Sequence, residues 1–203
     1  MDKAKVRLSK EEMELVCHAD WILTKNSILQ KTKELMGLVQ TGYAEIIATC
    51  SEKFPKEIFT ASPKISKGEN YRGLPYLLLD YPRHFVQEDI FAVRTMFWWG
   101  NFFSITLHLA GRYKKKYEKA IATAFSSLVK NNFYCCVNDN PWQHHFENDN
   151  YLPLTEANMI HFEKINTEKS FIKLAAKLDL QQWENSRSIL EERFRQIMEM
   201  LAG

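Results

Sequence analysis

The stretch Ile90–Gly111, IFAVRTMFWWGNFFSITLHLAG, decides how the rest of the chain is read. β-branched and aromatic residues dominate it, the composition that a pleated and packed surface favours. Gly100-Asn101 lies between its two apolar runs. Gly-Asn is a two-residue hairpin signal, with glycine at the positive φ of a type II′ turn. Such a turn opposes Trp99 to Phe102, Trp98 to Phe103, Met96 to Ile105 and Arg94 to Leu107. Side chains alternate between the faces of a strand. One face is therefore expected to carry Ala92, Arg94, Met96, Trp98, Phe103, Ile105, Leu107 and Leu109, an apolar face with one charge in it. The other carries Phe91, Val93, Thr95, Phe97, Trp99, Phe102, Ser104, Thr106 and His108.

No residue from Thr95 to Gly111 is formally charged, a run near the lower length limit for a membrane span. Asn, Ser, Thr and His within it, its period of two and the turn at its centre exclude that reading.

Working outward, Leu74–Tyr81 reads as a short apolar strand that Pro82 closes, with Asp80 near its end. Residues 51–73, punctuated by Pro55, Pro63, Gly68 and Gly73, read as a long irregular connection of the kind that serves as a lid or binding loop. Before it, Ser9 and Glu12 form a capping box. Apolar residues then recur at helical spacing from Met13 to Ile47, in one long helix or two consecutive ones. After the hairpin, Tyr113, Tyr117, Ile121, Phe125 and Leu128 define one face of a helix over Arg112–Asn131. Phe133–Val137 reads as a strand and Asn138–Pro153 as a second irregular region. A short helix begins at Thr155, and Ser170–Leu180 alternates as a strand. A last helix, capped by Asp179, has Trp183, Leu190, Phe194, Ile197 and Leu201 as its stripe.

Hairpins imply antiparallel pairing, and amphipathic helices must cover a sheet face. The expected fold is α+β. It has about five mainly antiparallel strands around the central hairpin (90–110), with helices packed mainly on one face. Residues 1–8 are expected to be a flexible start and 9–203 a single domain, which a chain of 203 residues suits.

Composition is that of a soluble protein, 45% hydrophobic and 26% charged. Cys17, Cys50, Cys135 and Cys136 show no disulfide spacing, and no apolar leader precedes Trp21, so the cytoplasm is the expected compartment. The net charge of +2 is unevenly spread: −1 over residues 1–52, +6 over 53–119 and −3 over 120–203. The basic centre suggests an anionic partner, the bland alternative being a solvated surface.

Arg94 is the most informative single residue. A guanidinium set among apolar neighbours has to be paired, and Asp80 on the preceding strand is the first candidate. Tyr71, Arg72, Tyr81 and Arg83 are expected to flank the same sheet end. The candidate ligand-binding set is Arg72, Tyr81, Arg83, Arg94, Trp98 and His108. His108 shares its expected face with Ser104 and Thr106, but without a GxSxG elbow this spacing does not make a triad. His144 and His145 with Cys135 and Cys136 lack the spacings of zinc signatures, so no metal is expected.

No P-loop, GxGxxG, HExxH or aromatic RNA-binding motif is present. Neither a cofactor nor a membrane partner is expected, and nucleic acid is not the expected ligand. The element order is similar in topology to acyl-CoA-dependent N-acetyltransferases, where a strand leads into a helix whose N-terminus holds a pyrophosphate. The corresponding turn, Ala110-Gly111-Arg112-Tyr113, has a single glycine, and no membership is inferred. Two classes remain. One is a non-catalytic ligand-binding or protein-interaction domain. The alternative is an enzyme acting on an anionic small molecule, or using an acyl or nucleotide cofactor, near Arg94. A homodimer is expected if Phe97, Trp99 and Phe102 cluster on one uncovered face and the 138–153 loop does not cover them.

Overall fold

In the computed structural model, which describes residues 6–203, the hairpin is the middle of a seven-stranded sheet. The first strands are β1 (Lys64–Tyr71), β2 (Leu74–Val86), β3 (Asp89–Trp98) and β4 (Phe102–Ala110). The remainder are β5 (Tyr134–Cys136), β6 (Tyr151–Pro153) and β7 (Phe171–Asp179). The order across the sheet is β1-β2-β3-β4-β7-β5-β6, and every pairing is antiparallel. The α+β class holds, but the sheet has seven strands rather than about five. The two extra strands lie at its edges, in segments whose sequence reads as loop. β1 is polar and glycine-bearing (KISKGENY) because it has one neighbour and little to bury. β6 is three residues long and ends at Pro153, which has no N–H to continue a ladder.

Six α-helices complete the described chain: α1 (Lys10–Cys17), α2 (Asp20–Cys50), α3 (Gly111–Thr123), α4 (Phe125–Lys130), α5 (Met159–Glu168) and α6 (Ser186–Ala202). The capping box forms, with Glu12 N–H on Ser9 Oγ at 3.1 Å and Ser9 N–H on Glu12 Oε2 at 2.6 Å. The helix read over Arg112–Asn131 is interrupted at Ala124, whose ψ of 2° leaves the helical range. Asp179 caps a 3-10 turn by accepting from Gln181 N–H, so the last α-helix starts at Ser186. No helix among the described residues is long and apolar enough to cross a membrane.

Val39, Tyr43, Ile121, Phe162, Phe194 and Ile197 from the helices pack with Leu79, Val93, Phe97, Ile105, Leu107 and Leu174 from the strands, forming the main core. Tyr43 stacks on Phe194 at 3.9 Å between centroids. Its hydroxyl meets Thr95, a buried polar residue of this sheet face, at 2.8 Å.

The hairpin register differs from the sequence reading by one residue. Trp98 opposes Phe102, Met96 opposes Ser104, and Arg94 opposes Thr106. Trp99 leaves the β3–β4 ladder because its N–H donates to the Pro75 carbonyl on β2, at 3.0 Å. The connection is therefore three residues, Trp99-Gly100-Asn101. Gly100 has φ +70°, and Asn101 N–H closes onto Trp98 C=O at 3.0 Å. A one-residue slip exchanges the faces of the whole partner strand. Phe103, Ile105, Leu107 and Leu109 join Phe97 and Val93 under the helices, while Phe102, Ser104, Thr106 and His108 join Arg94 on the opposite face. Arg94 and His108 thus share a face, contrary to the sequence reading, and Phe97 and Phe102 do not.

Candidate site under the 137–150 loop

The face opposite the main core is covered by residues 137–150. This loop leaves β5 and returns as β6, so both its ends are fixed at the sheet edge. Its polar, turn-forming residues bond to one another: Asn138 Oδ1 accepts from Asn140 N–H, and Asn140 Oδ1 from Trp142 N–H. Tyr71 holds its middle. The Tyr71 hydroxyl accepts from His144 N–H at 2.8 Å and His145 N–H at 3.1 Å. Arg72 beside it forms an ion pair with Glu147. At the far end Lys169 reaches Asp139 at 2.9 Å.

Four nitrogen-bearing side chains converge beneath the loop. Arg94 on β3 is largely enclosed and binds Asp80 on β2 in a fork, with Nε to Oδ1 at 2.7 Å and the second terminal nitrogen to Oδ2 at 2.9 Å. This is the pairing expected from the sequence, made by opposing positions on adjacent strands. The remaining terminal nitrogen of Arg94 faces His144 Nε2 at 3.4 Å. Arginine can only donate, so His144 Nε2 accepts and the His144 ring is neutral. Burial, reinforced by Lys173 and Arg94, holds the His144 imidazole well below its usual value.

Lys173 on β7 is directly opposite His108 on β4. It is buried to 2% exposure. Its ammonium donates to the Pro141 and Gln143 carbonyls of the loop, both at 2.7 Å, and lies 5.2 Å from the centre of the Tyr151 ring. No carboxylate is within ion-pair distance of Lys173 among the described residues. Burial, assisted by Arg94 and opposed by Cys136, lowers its pKa from 10.5 to about 8. His108 is edge-on to Trp142 and Phe171, and its Nε2 is buried with no hydrogen-bond partner. Burial, then Lys173 and Arg94, push its pKa down to about 3.

Phe85, Ala92, Thr106, Pro141 and Trp142 complete the walls, and the loop leaves a cavity of about 10 Å³ between them. That is one water at most. Any ligand larger than water has to displace part of the loop, and Pro141–Gln143 is the part that sits on Lys173.

Of the six sequence candidates, only Arg94 and His108 meet here. Arg72 and Trp98 act at the loop's other end, Trp98 Nε1 donating to the Tyr71 carbonyl at 3.2 Å. Arg83 is turned to the Ser62 carbonyl at 2.6 Å. Tyr81 packs against the helix-side core, where burial raises its pKa. Arg72 and Tyr71 close the β1–β2 turn, whereas Tyr81 and Arg83 flank the cis Tyr81-Pro82 peptide well along β2, so they do not share a sheet end. Lys173 and His144 were not anticipated. Lys173 reads as the solvent side of an alternating strand, and only the loop's cover makes it buried. Its one sequence signal is its alternation with Ile172 and Leu174.

The Cys/His group separates. His144 turns to Arg94. His145 is buried between Tyr71 and the carboxylates of Asp149 and Glu147, its Nε2 3.2 Å and 3.5 Å from them. Burial raises both thiols, Cys135 to about 12. His145, Glu147 and Asp149 do bring ligand atoms within 4.8 Å of one another; Arg72 engages Glu147, and Tyr71 meets His145 at Nδ1. The helix end that a pyrophosphate would use is also taken. Asp89 Oδ1 accepts from Arg112 N–H at 2.8 Å at the start of α3, and a Cβ on Gly111 would lie 2.2 Å from that same oxygen. Compared with protein-family models, with curated proteins and with solved structures, the chain matches none of them, so the site is read from its own chemistry.

Proposed function

We propose that the protein is a non-catalytic binding domain for a small anionic molecule, received between Arg94 and Lys173 when the Pro141–Gln143 segment lifts. The observation that carries this reading is Lys173, a buried lysine whose charge meets carbonyls and a ring but no acid. Burying an unpaired charge is costly, and an arriving carboxylate or phosphate would relieve that cost. Arg94 has a terminal nitrogen directed at neutral His144, which an anion would replace as the better acceptor. Thr106 and the open Nε2 of His108 supply further polar positions. Bound at this place, the ligand would substitute for the two loop carbonyls and so couple its binding to loop position.

Neither histidine of the site suits general-base chemistry. A general base works best with a pKa near the operating pH; burial takes His108 down to about 3 and holds His144 well below its usual value. The alternative of an enzyme near Arg94 would have to use Lys173, whose pKa of about 8 is in the range of a catalytic lysine.

The test is titration with inorganic phosphate and with a panel of small mono- and dicarboxylates at constant ionic strength, followed by Trp142 fluorescence and thermal unfolding. At a hundredfold excess over Kd, a ligand that binds only the folded state adds about 2.7 kcal/mol of stability. At least one anion is expected to raise Tm in the wild type and to lose that effect in Lys173→Met. A panel with no response, or a response that survives Lys173→Met unchanged, would reject the reading.

A further inference from the structure

The buried amine of Lys173 has a position still open. An ammonium offers three N–H donors. The Pro141 and Gln143 carbonyls take two of them, and no third acceptor is in hydrogen-bond reach among the described residues. On the neutral amine the third position is a lone pair. A desolvated lysine with a free lone pair is a nucleophile. Lys173 lines the small cavity under the loop together with Arg94, Thr106 and His108. The terminal nitrogen of Arg94 that is free of Asp80 meets only neutral His144, at 3.4 Å, and His108 Nε2 is buried without a partner. One cavity therefore joins a permanent cation, an unpartnered ring nitrogen and an amine. Arg94 opposes Thr106, and Lys173 opposes His108, so the two side chains start two strands and two residues apart. That is on the order of 12 Å between their α-carbons. Both side chains are long, and a molecule of a few carbons bridges what remains.

We propose that the anion received here is an oxo acid, a small carboxylate that also carries an aldehyde or ketone, and that Lys173 captures its carbonyl carbon as an imine while Arg94 holds its carboxylate. This rests on the reading of the site as an anion receiver and names the class of anion. Simple ion pairing would be served better by a second arginine, which keeps its charge when buried. A lysine adds the one thing arginine lacks, a nitrogen that can give up its proton and form a bond. At the lowered pKa of about 8, roughly one Lys173 amine in ten is unprotonated at pH 7, against fewer than about one in a thousand for an ordinary lysine. The amine lone pair forms the C–N bond, and the carbonyl π pair moves to oxygen. Two protons from nitrogen pass to that oxygen, the C–O bond breaks, and water leaves. Ammonium and oxo acid thus become protonated imine and water, with no oxidant or reductant consumed. The positive charge stays on nitrogen beside the carboxylate. Return of water reverses the step, so the capture is a form of binding. His108 Nε2 is the unpartnered group at the cavity that can meet the carbonyl oxygen.

The test is reductive trapping on the full wild-type chain at pH 7. Glyoxylate, pyruvate or 2-oxoglutarate is added with sodium cyanoborohydride, which reduces an imine to a stable secondary amine, and the adducts are located by peptide mass spectrometry. At least one oxo acid is expected to label Lys173 about tenfold or more above any exposed lysine. The matching hydroxy acid (glycolate, lactate or 2-hydroxyglutarate) has the carboxylate but no carbonyl, and in excess it should protect Lys173. Labelling spread evenly over exposed lysines, a Lys173 adduct that the hydroxy acid does not reduce, or no adduct at all would each overturn the proposal. Thermal unfolding separates this outcome from failure of the anion reading. If an anion still raises Tm through Lys173 but no oxo acid is trapped there, the site binds anions without condensing them; if no anion raises Tm and none is trapped, both readings fall.

Discussion

At Lys173 a single side chain carries a measurable consequence. Its pKa is about 8 in the folded protein against 10.5 for the free group. Between those values the unfolded chain holds the proton that the folded one has released, so stability rises with pH across this window. Below pH 8 the buried charge costs on the order of 3 kcal/mol relative to the unfolded chain. The neutral amine still has two N–H donors for Pro141 and Gln143, so losing the proton keeps both hydrogen bonds. Urea unfolding at pH 7 and pH 9.5 should show the wild type gaining stability relative to Lys173→Met; parallel behaviour of the two would mean that the ammonium is not desolvated. His108 works in the same direction at lower pH. Its folded value of about 3 lies below the usual 6.5, so the unfolded state binds more protons and stability falls as pH drops through 6.5. Roughly 2 kcal/mol is lost from this residue by pH 5, and His108→Phe should be correspondingly less acid-sensitive. The Arg94–Asp80 fork is a third case. Asp80→Asn strands a guanidinium beside Lys173 and should cost about 3–5 kcal/mol, whereas replacing both partners with leucine should recover most of that loss. A double-mutant cycle in urea measures the difference.

The 137–150 loop and the β3–β4 turn are the elements on which the site depends. Tyr71 binds the loop through one hydroxyl that accepts two backbone N–H groups. Tyr71→Phe leaves both donors without that acceptor, a loss of about 1–3 kcal/mol, and it frees the loop while β3 and β4 stay paired. Hydrogen exchange should therefore accelerate at His144 and His145 without changing at Met96 or Ile105. Uniform acceleration along the chain would show that the loop and the sheet open together. A second element test concerns the β4–α3 junction. Gly111 has φ +56°, and a Cβ there would lie 2.2 Å from Asp89 Oδ1 and 2.8 Å from the Glu88 carbonyl. Gly111→Ala should lower stability by at least about 1 kcal/mol and displace Asp89 from Arg112 N–H; an unchanged urea midpoint would contradict this geometry.

Across the whole molecule, the sheet separates two environments. The helix side is a continuous apolar core with Tyr43–Thr95 as its buried polar contact. The other side is a smaller layer in which the loop, not a helix, supplies the cover. There the apolar groups are split, Leu78, Met96 and Trp98 at one end and Ala110, Cys136, Tyr151, Phe171 and Ala175 at the other. The cationic cluster lies with Arg94 and Lys173 on this divided face.

Much of this architecture is local in origin and was legible in the residues. The apolar run of β2, alternation in β3, β4 and β7, helical spacing from Met13 to Ile47, and the Ser9 cap depend on neighbours within a few positions. The Arg94–Asp80 pair was legible too, because a charge in an apolar alternation needs an opposite charge on the adjoining strand. Edge strands β1 and β6 were not, since a strand with one neighbour carries little apolar signal. The β4 register was decided by Pro75, far from the turn in sequence, whose carbonyl takes the Trp99 N–H and moves the pairing by one residue. That step brought His108 to the face of Arg94. Lys173 and His144 were likewise fixed only by tertiary structure, because burial belongs to whatever lies over a residue. What the sequence by itself determined is the helices and the inner strands; what only the folded chain decided is the edge strands, which side of β3 meets the main core, which polar groups share a face and what covers them, since pairing register and loop packing arise from contacts between segments far apart in the chain.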